Sequence, residues 1–373
     1  MPRRGHRRLV TAGATGYTTQ YARMRGPKKA IRPFADAFRR ITKLFHRLLD
    51  ATEAFQIPGS LAQRLANLCV GLRWSTNTTN YRRAIGKAPN YISPVSWTDK
   101  VQWRKVFDRN PRLVTYTDKV SARDYMRQIA PEVTIPRTFW MGEDPEAIPF
   151  DAFDGSYVIK PSHSCGQIIY VENPAAIDRQ QIIATCRQWL KTSYGRPSAE
   201  WAYSQVRPRL IVEELLSDLN NKSKVANYKF FVFSGTLRYV QVESKMPEGY
   251  FLTFFGADGK RLGIRKWMGL EEGGKSSTPS DKVKAPSKFL EMKRVAERIG
   301  RDIDMVRVDL YQVGETIYFS ELTPYDGSGY SFFYRDADRF EGRPPADLND
   351  AFGAFWELPH IPLWRKIVNC MRG

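Results

Sequence analysis

Apolar and polar residues alternate most clearly between Met305 and Glu321. Val306, Val308 and Leu310 alternate with Arg307, Asp309 and Tyr311; past Val313-Gly314-Glu315-Thr316 the pattern resumes as Ile317 and Phe319 against Tyr318 and Ser320. A period of two on both sides of a glycine-containing turn predicts a β-hairpin. The same signal predicts hairpins over residues 228–242, turning at Ser234-Gly235, and 251–264, turning at Ala257-Asp258-Gly259-Lys260. It also predicts strands at 157–160, 167–171 and 209–216. Helical spacing takes over elsewhere. Phe34, Phe38, Ile41, Phe45, Leu48 and Phe55 form one stripe, flanked by Arg39, Arg40, Lys43 and Arg47, and Leu61, Leu65, Leu68 and Leu72 form a second. The first stripe suits both a protein core, the commoner use, and a membrane surface. Further helices are predicted at 96–107, started by Ser96, at 119–129, 177–190 and 286–299, and in a final segment over 352–371. Residues 74–90, polar and aromatic, read as a linker. Helices and antiparallel hairpins in one chain predict an α+β fold.

Charge refines this picture at one end. The chain of 373 residues carries 58 Lys and Arg against 39 Asp and Glu, a net +19. Residues 1–33 hold nine of those cations (Arg3, Arg4, Arg7, Arg8, Arg23, Arg25, Lys28, Lys29 and Arg32) and no acid. Such a tail is drawn to anionic surfaces, whether phospholipid, acidic glycan or nucleic acid, although a start codon assigned too early would look the same. No recognisable nucleic-acid module accompanies it. No apolar run reaches the roughly 18 to 20 residues of a membrane span, and the N-terminus lacks a signal-peptide h-region, so a cytoplasmic protein is expected. Cys69, Cys165, Cys186 and Cys370 follow no zinc or disulfide spacing.

Candidate chemistry gathers on the 305–321 hairpin. Asp309 and Glu321 fall on neighbouring strands, where hard carboxylate oxygens can share Mg²⁺, and Arg307 stands on the same side as Asp309. A solvated polar strand face with a surface ion pair would show the same pattern. In residues 156–171 two strands flank the small loop Ser162, His163, Ser164, Cys165, Gly166, whose backbone amides can cover phosphate with Lys160 entering beside them. His163 and Cys165 are too close in one turn to form an oriented nucleophile and base. Lys119 sits at a helix start that favours anions. The strand ending in Glu213-Glu214 is expected at the edge of a ligand cleft, and residues 325–330 form a second flexible loop beside the metal carboxylates.

In chain order, Asp118-Lys119, Lys160-Pro161, Val212-Glu213-Glu214, Tyr228-Lys229, Arg307-Val308-Asp309 and Glu321-Leu322-Thr323 resemble the ATP-grasp superfamily, and within it the TupA-like group associated with teichuronopeptide and other cell-envelope polysaccharide biosynthesis. The resemblance runs over about residues 90–334. It implies two α+β subdomains clasping ATP, with residues 91–335 as the ATP-grasp domain and its nucleotide cleft between about 119–225 and 226–335. Residues 1–33 would be a basic tail, 34–90 a helical N-terminal region with linker, and 336–373 a C-terminal helical segment. The cofactors implied are ATP and Mg²⁺.

By the same resemblance, Lys119 and Lys160 contact phosphate, the loop Ser162, His163, Ser164 and Gly166 closes over it, and Glu213, Glu214 and Leu216 hold adenine. Lys229 and Arg307 are the catalytic cations, and Asp309, Glu321 and Thr323 the metal ligands. Thr323 stands where the wider superfamily usually has Asn, which puts a second metal in question, and Cys165 replaces an expected small residue. The implied activity is an ATP-dependent carboxylate–amine ligase working through an acylphosphate, on an amino acid or uronic-acid glycan precursor. A kinase-like phosphotransferase is the alternative, ahead of a glycosyltransferase or a non-catalytic ATP-binding scaffold. The basic N-terminus implies peripheral contact with the inner face of an anionic membrane.

Overall fold

The structure, a computed structural model, describes residues 59–217, 225–267, 276–336, 346–362 and 366. The expected tail of residues 1–33 and the stripe of 34–55 lie outside them. The described chain divides into two compact units.

The smaller unit contains Arg137–Thr192 and Arg207–Leu215. Four antiparallel strands, β1 (Thr138–Gly142), β2 (Tyr157–Pro161), β3 (Ile169–Val171) and β4 (Leu210–Glu214), pair in the order β1-β4-β2-β3. Tyr157, Ile159, Leu210 and Val212 share one face and pack on Ile182, Ile183, Cys186 and Trp189 of helix α6 (Arg179–Lys191). Alternation therefore turns Val158, Lys160, Ile211 and Glu213 to the other face.

The larger unit begins with α1 (Gly59–Arg73), α2 (Ser75–Ile85), α3 (Trp97–Phe107), α4 (Pro111–Thr117) and α5 (Lys119–Ile129). Ser96 caps α3 by accepting from Asp99 N, as its sequence position predicts, and Asp118 caps α5 by accepting from Val120 N. The predicted linker is a helix instead. The α2 sequence STNTTNYRRAI has no apolar stripe because its buried positions Asn77 and Thr78 are polar and hydrogen-bond to Gln102 and Tyr91. On α1 the inward residues are Ala66 and Val70, whereas Leu68 and Leu72 stay exposed. No helix among the described residues is long and apolar enough to cross a membrane.

Six antiparallel strands follow in the order β11-β10-β5-β6-β7-β8: β5 (Asn227–Phe233), β6 (Thr236–Met246), β7 (Gly249–Gly256), β8 (Arg261–Leu262), β10 (Met305–Val313) and β11 (Thr316–Thr323). A two-stranded ribbon pairs β9 (Ile264–Trp267) with β12 (Phe332–Arg335). One sheet face carries Val306, Val308, Leu310, Phe230 and Phe319, all buried; it takes helix α7 (Phe289–Ile299), whose Phe289 meets Phe230 at 6.1 Å between ring centroids. The other face holds Phe231, Phe233, Tyr239, Phe254 and Met305 against Trp97, Phe333, Phe352 and Trp356.

Helix α8 (Ala346–Ala354) lies against α3, and Gly353 is needed there because a Cβ would stand 2.1 Å from Val95 O. Lys100 Nζ closes the contact by donating to the carbonyls of Gly353 and Trp356. The predicted final helix over 352–371 is interrupted: α8 starts before it, residues 355–362 are not helical, as expected of a stretch holding Pro359 and Pro362, and Lys366 is helical again, the other residues from 363 onward lying outside the described ones.

Candidate functional site

The face of the larger sheet that begins as an aromatic core ends as a cluster of charge. Met305, Arg307 and Asp309 follow one another on the same side of β10, opposite Phe233, Phe231 and Lys229 of β5. Gln241 and Glu243 continue that side on β6. Glu321 joins it through an irregularity. In a regular strand Glu321 would share a face with Ile317 and Phe319, which are buried on the α7 side. The register instead slips between Asp309 and Leu310: Leu310 pairs with Phe319 and Asp309 with Glu321, leaving Ser320 as the extra residue of a β-bulge. One inserted residue thereby keeps Phe319 in the core and turns Glu321 to face Asp309.

Arg307, 6% exposed, binds three carboxylates. Its Nε and Nη2 donate to Asp309 Oδ1 and Oδ2, both at 2.7 Å, and Nη2 also donates to Glu321 Oε1 at 3.0 Å. From the opposite edge of the guanidinium, Nη1 donates to Asp326 Oδ1 at 2.5 Å. Lys266 Nζ, from β9, reaches Asp326 Oδ2 at 3.0 Å, and Lys229 Nζ pairs with Glu243 Oε1 at 2.6 Å and lies 3.9 Å from Asp309 Oδ2.

Asp309 and Asp326 are both fully buried, yet they titrate in opposite directions. Burial lifts Asp309 to about 6 against the pull of Arg307 and Lys229, with Glu321 beside it adding a smaller push in the same direction. Burial also pushes Asp326 upward, but Lys266 and Arg307 overcome it and hold the carboxyl at about 2.

Asp326 opens a tight 3-10 turn, Asp326–Gly329, in which Gly327, Ser328 and Gly329 all take left-handed φ values of 53°, 56° and 66°. Helix α3 clamps this run: Gln102 Nε2 and Lys105 Nζ donate to Ser328 O at 2.9 and 3.0 Å, and Lys105 Nζ also meets Ser328 Oγ. A Cβ at residue 329 would fall 2.5 Å from Gln102 Nε2, so Gly329 is what admits the helix.

In the smaller unit, Lys160 and Glu213 stand diagonally across β2 and β4 on the face away from α6 and form an ion pair. Glu214 points to the other side, where its carboxylate accepts from Arg137 N at 2.8 Å. Side chains of the loop after Lys160 turn inward. Ser162 bonds to Arg207 O and Arg209 N, His163 Nε2 meets Trp189 O at 3.2 Å, and Ser164 donates to Gln167; Gly166 is exposed. Lys119, half-buried, is the first residue of α5 in the larger unit, and Leu216 follows β4 without regular structure.

The structure thus brings Arg307, Lys229, Asp309, Glu321 and Thr323 together in the larger unit, and Lys160 with Glu213 in the smaller. Sequence patterns gave no role to Asp326, Lys266, Gln241 or Glu243. A signal existed for Asp326, a carboxylate opening a Gly-Ser-Gly run, and for Gln241 and Glu243, polar residues two apart in an apolar strand. Lys266 had none.

The donor set suits one kind of metal. Asp309 Oδ2 and Glu321 Oε1 converge on a single nitrogen of Arg307, and Thr323 Oγ1 lies 3.3 Å from that Glu321 oxygen. No group of three His, Cys, Asp or Glu among the described residues could hold an ion alone. Two carboxylates fit Mg²⁺, which keeps water and takes phosphate oxygens as its remaining ligands.

The model of the TupA-like ATP-grasp family matches residues 99–343, and the chain belongs to that family. Among solved structures, similarity extends to the D-alanine–D-alanine ligase of Helicobacter pylori (13% identity over 63% of this chain and 61% of that one, TM-score 0.34). It extends also to the ATP-grasp ligase PsnB (14%, 66% and 60%, TM-score 0.32) and to the L-amino acid ligase of Bacillus licheniformis (14%, 57% and 44%, TM-score 0.34). The chain therefore spans about three fifths or less of the length of each of these three. No curated protein sequence matches it.

Proposed function

We propose that this protein is an ATP-dependent carboxylate–amine ligase serving cell-envelope or extracellular polysaccharide synthesis. The observation that carries the chemistry is the bulge that sets Glu321 against Asp309 with Arg307 between them. When bound there, Mg²⁺ supplies charge neutralisation on the transferring phosphoryl group. Asp309 and Glu321 would hold it, with Thr323 beside them. Arg307 and Lys229 bring fixed positive charge to the oxygens of the γ-phosphate, in a setting where such charge acts strongly. A substrate carboxylate oxygen attacks the γ-phosphorus and ADP leaves. An amine then attacks the acyl carbon and expels phosphate, so no protein nucleophile is required.

Family membership supports the polysaccharide setting, with an amino acid or a uronic-acid glycan precursor as substrate. The test is release of ADP and phosphate by the full-length protein against pools of amino acids and uronic acids, each with and without an amine. Phosphate release that needs both partners is expected. ADP release with one acceptor and no free phosphate would make the enzyme a phosphotransferase, and no turnover with any pool would overturn the ligase.

The nine cations of residues 1–33 support a second element, peripheral docking at the anionic inner face of a membrane. Co-sedimentation with phosphatidylserine vesicles at low salt, lost at about 1 M salt where the screening length shrinks to about 3 Å, is the expected result; indifference to the vesicles would remove this element.

A further inference from the structure

The two edges of the Arg307 guanidinium have different partners. One edge faces Asp309 and Glu321, the pair assigned above to Mg²⁺, and the other faces Asp326. A cation arriving between Asp309 and Glu321 repels the guanidinium on the first edge. Without a hold on the second, Arg307 would either leave the site or stay and compete for both carboxylates.

We propose that Asp326, fixed in turn by Lys266, is a positioning residue that retains Arg307 when Asp309 and Glu321 take the metal. The proposal rests on the metal assignment made above. The geometry suits the role at each point. Asp326 gives each cation its own nearest oxygen, Oδ1 to Arg307 at 2.5 Å and Oδ2 to Lys266 at 3.0 Å, with a longer contact of 3.3 Å from Lys266 to Oδ1. Lys266 itself is 7% exposed, lies over the ring of Phe333 and is 3.5 Å from Gln241 Oε1, which restricts its freedom to follow other anions. The turn carrying Asp326 is held from behind by Gln102 and Lys105 through Ser328, so the carboxylate cannot readily move with Arg307. Asp326 also stays ionised at about 2, and so remains an anchor at any pH where the protein works.

Simple summation of charge makes a different forecast, which the test exploits. Removing an anion nearby should weaken cation binding, and removing a cation should strengthen it. If Lys266 instead acts through Asp326, its loss frees the anchor, and both substitutions weaken metal binding. The experiment is Mn²⁺ titration of the full-length protein with saturating ADP, followed by electron paramagnetic resonance, for wild type, Asp326→Asn, Lys266→Met and the charge-retaining Lys266→Arg. The expected result is about 10-fold weaker Mn²⁺ binding for both Asp326→Asn and Lys266→Met, the scale of losing an outer contact to a metal site, with recovery in Lys266→Arg and metal-free ADP affinity unchanged throughout.

Tighter Mn²⁺ binding by Lys266→Met, or unchanged binding in both variants, overturns the proposal while leaving the metal assignment standing. Failure of the wild type to bind Mn²⁺ with ADP overturns both. Where Lys266→Met does not fold, Lys266→Gln serves in its place and the same outcomes apply.

Discussion

Two buried arginines approach β10 within three residues of each other, and they are satisfied in different ways. Arg104, on α3, pairs with Asp304 and Asp108, donates to the carbonyls of Met305 and Pro324, and stacks on Trp356 at 4.2 Å. Asp304 is itself closed off by Trp356 Nε1 at 2.6 Å and Met305 N at 3.0 Å. Neutral groups and an aromatic ring complete that site, so it has no use for a further ion. Arg307 meets carboxylates alone. Around it Asp309, Glu321, Asp326 and Glu243 face three cations, Arg307, Lys229 and Lys266. Each site has one acid more than it has cations; around Arg104 the neutral donors Trp356 Nε1, Met305 N and Asn110 N take up the excess, and around Arg307 a divalent cation would answer it.

The sharpest way to test that contrast is to remove the surplus. Asp309→Asn or Glu321→Gln should lower ATP turnover by at least about 100-fold, the scale of losing one preorganised electrostatic group, while circular dichroism at working temperature remains that of the folded wild type. Near-normal turnover in either variant would return Arg307 to a structural role like that of Arg104. The reciprocal experiment is Arg104→Met, which leaves Asp304 and Asp108 buried without their cation. A loss of about 3 to 5 kcal/mol in unfolding free energy is expected from denaturant titration, with the Arg307 cluster untouched.

A smaller effect separates the sites by pH. Asp309, lifted to about 6 by burial, favours the protonated form when folded, so its contribution to stability is full below pH 4 and is lost as pH rises through 6. In chelator, the change in melting temperature between pH 4 and pH 7 should therefore differ between wild type and Asp309→Asn, the wild type losing more as pH rises. Identical slopes would mean that Asp309 does not feel its burial.

The sequence made some of this plain and concealed the rest for physical reasons. The β10–β11 hairpin, the helix start at Ser96 and the placement of Arg307, Asp309 and Glu321 on adjoining strands were legible, since alternation and capping are local rules, whereas Lys229 entered only through the family resemblance. Helix α2 was not, because Asn77 and Thr78 bury polar groups against Tyr91 and Gln102, partners that no period along the chain reveals. Leu68 and Leu72 misled in the other direction, making a regular stripe that faces solvent. Lys266 and Asp326 are 60 residues apart and meet only because the β9–β12 ribbon and the clamped turn bring them together.

Ser320 gives the strand a reading frame. Up to Phe319 odd-numbered residues belong to the core, and from Glu321 onward odd-numbered residues belong to the chemistry, with a single uncounted position marking the change. Substitutions within either frame alter one contact each, but the loss or gain of one residue here exchanges the two meanings, sending a carboxylate into the apolar layer and Leu322 into the charged one. Variation in this segment is therefore expected to proceed by replacement at constant length. The spacing of twelve residues from Asp309 to Glu321 is as much a part of the site as the two carboxylates at its ends.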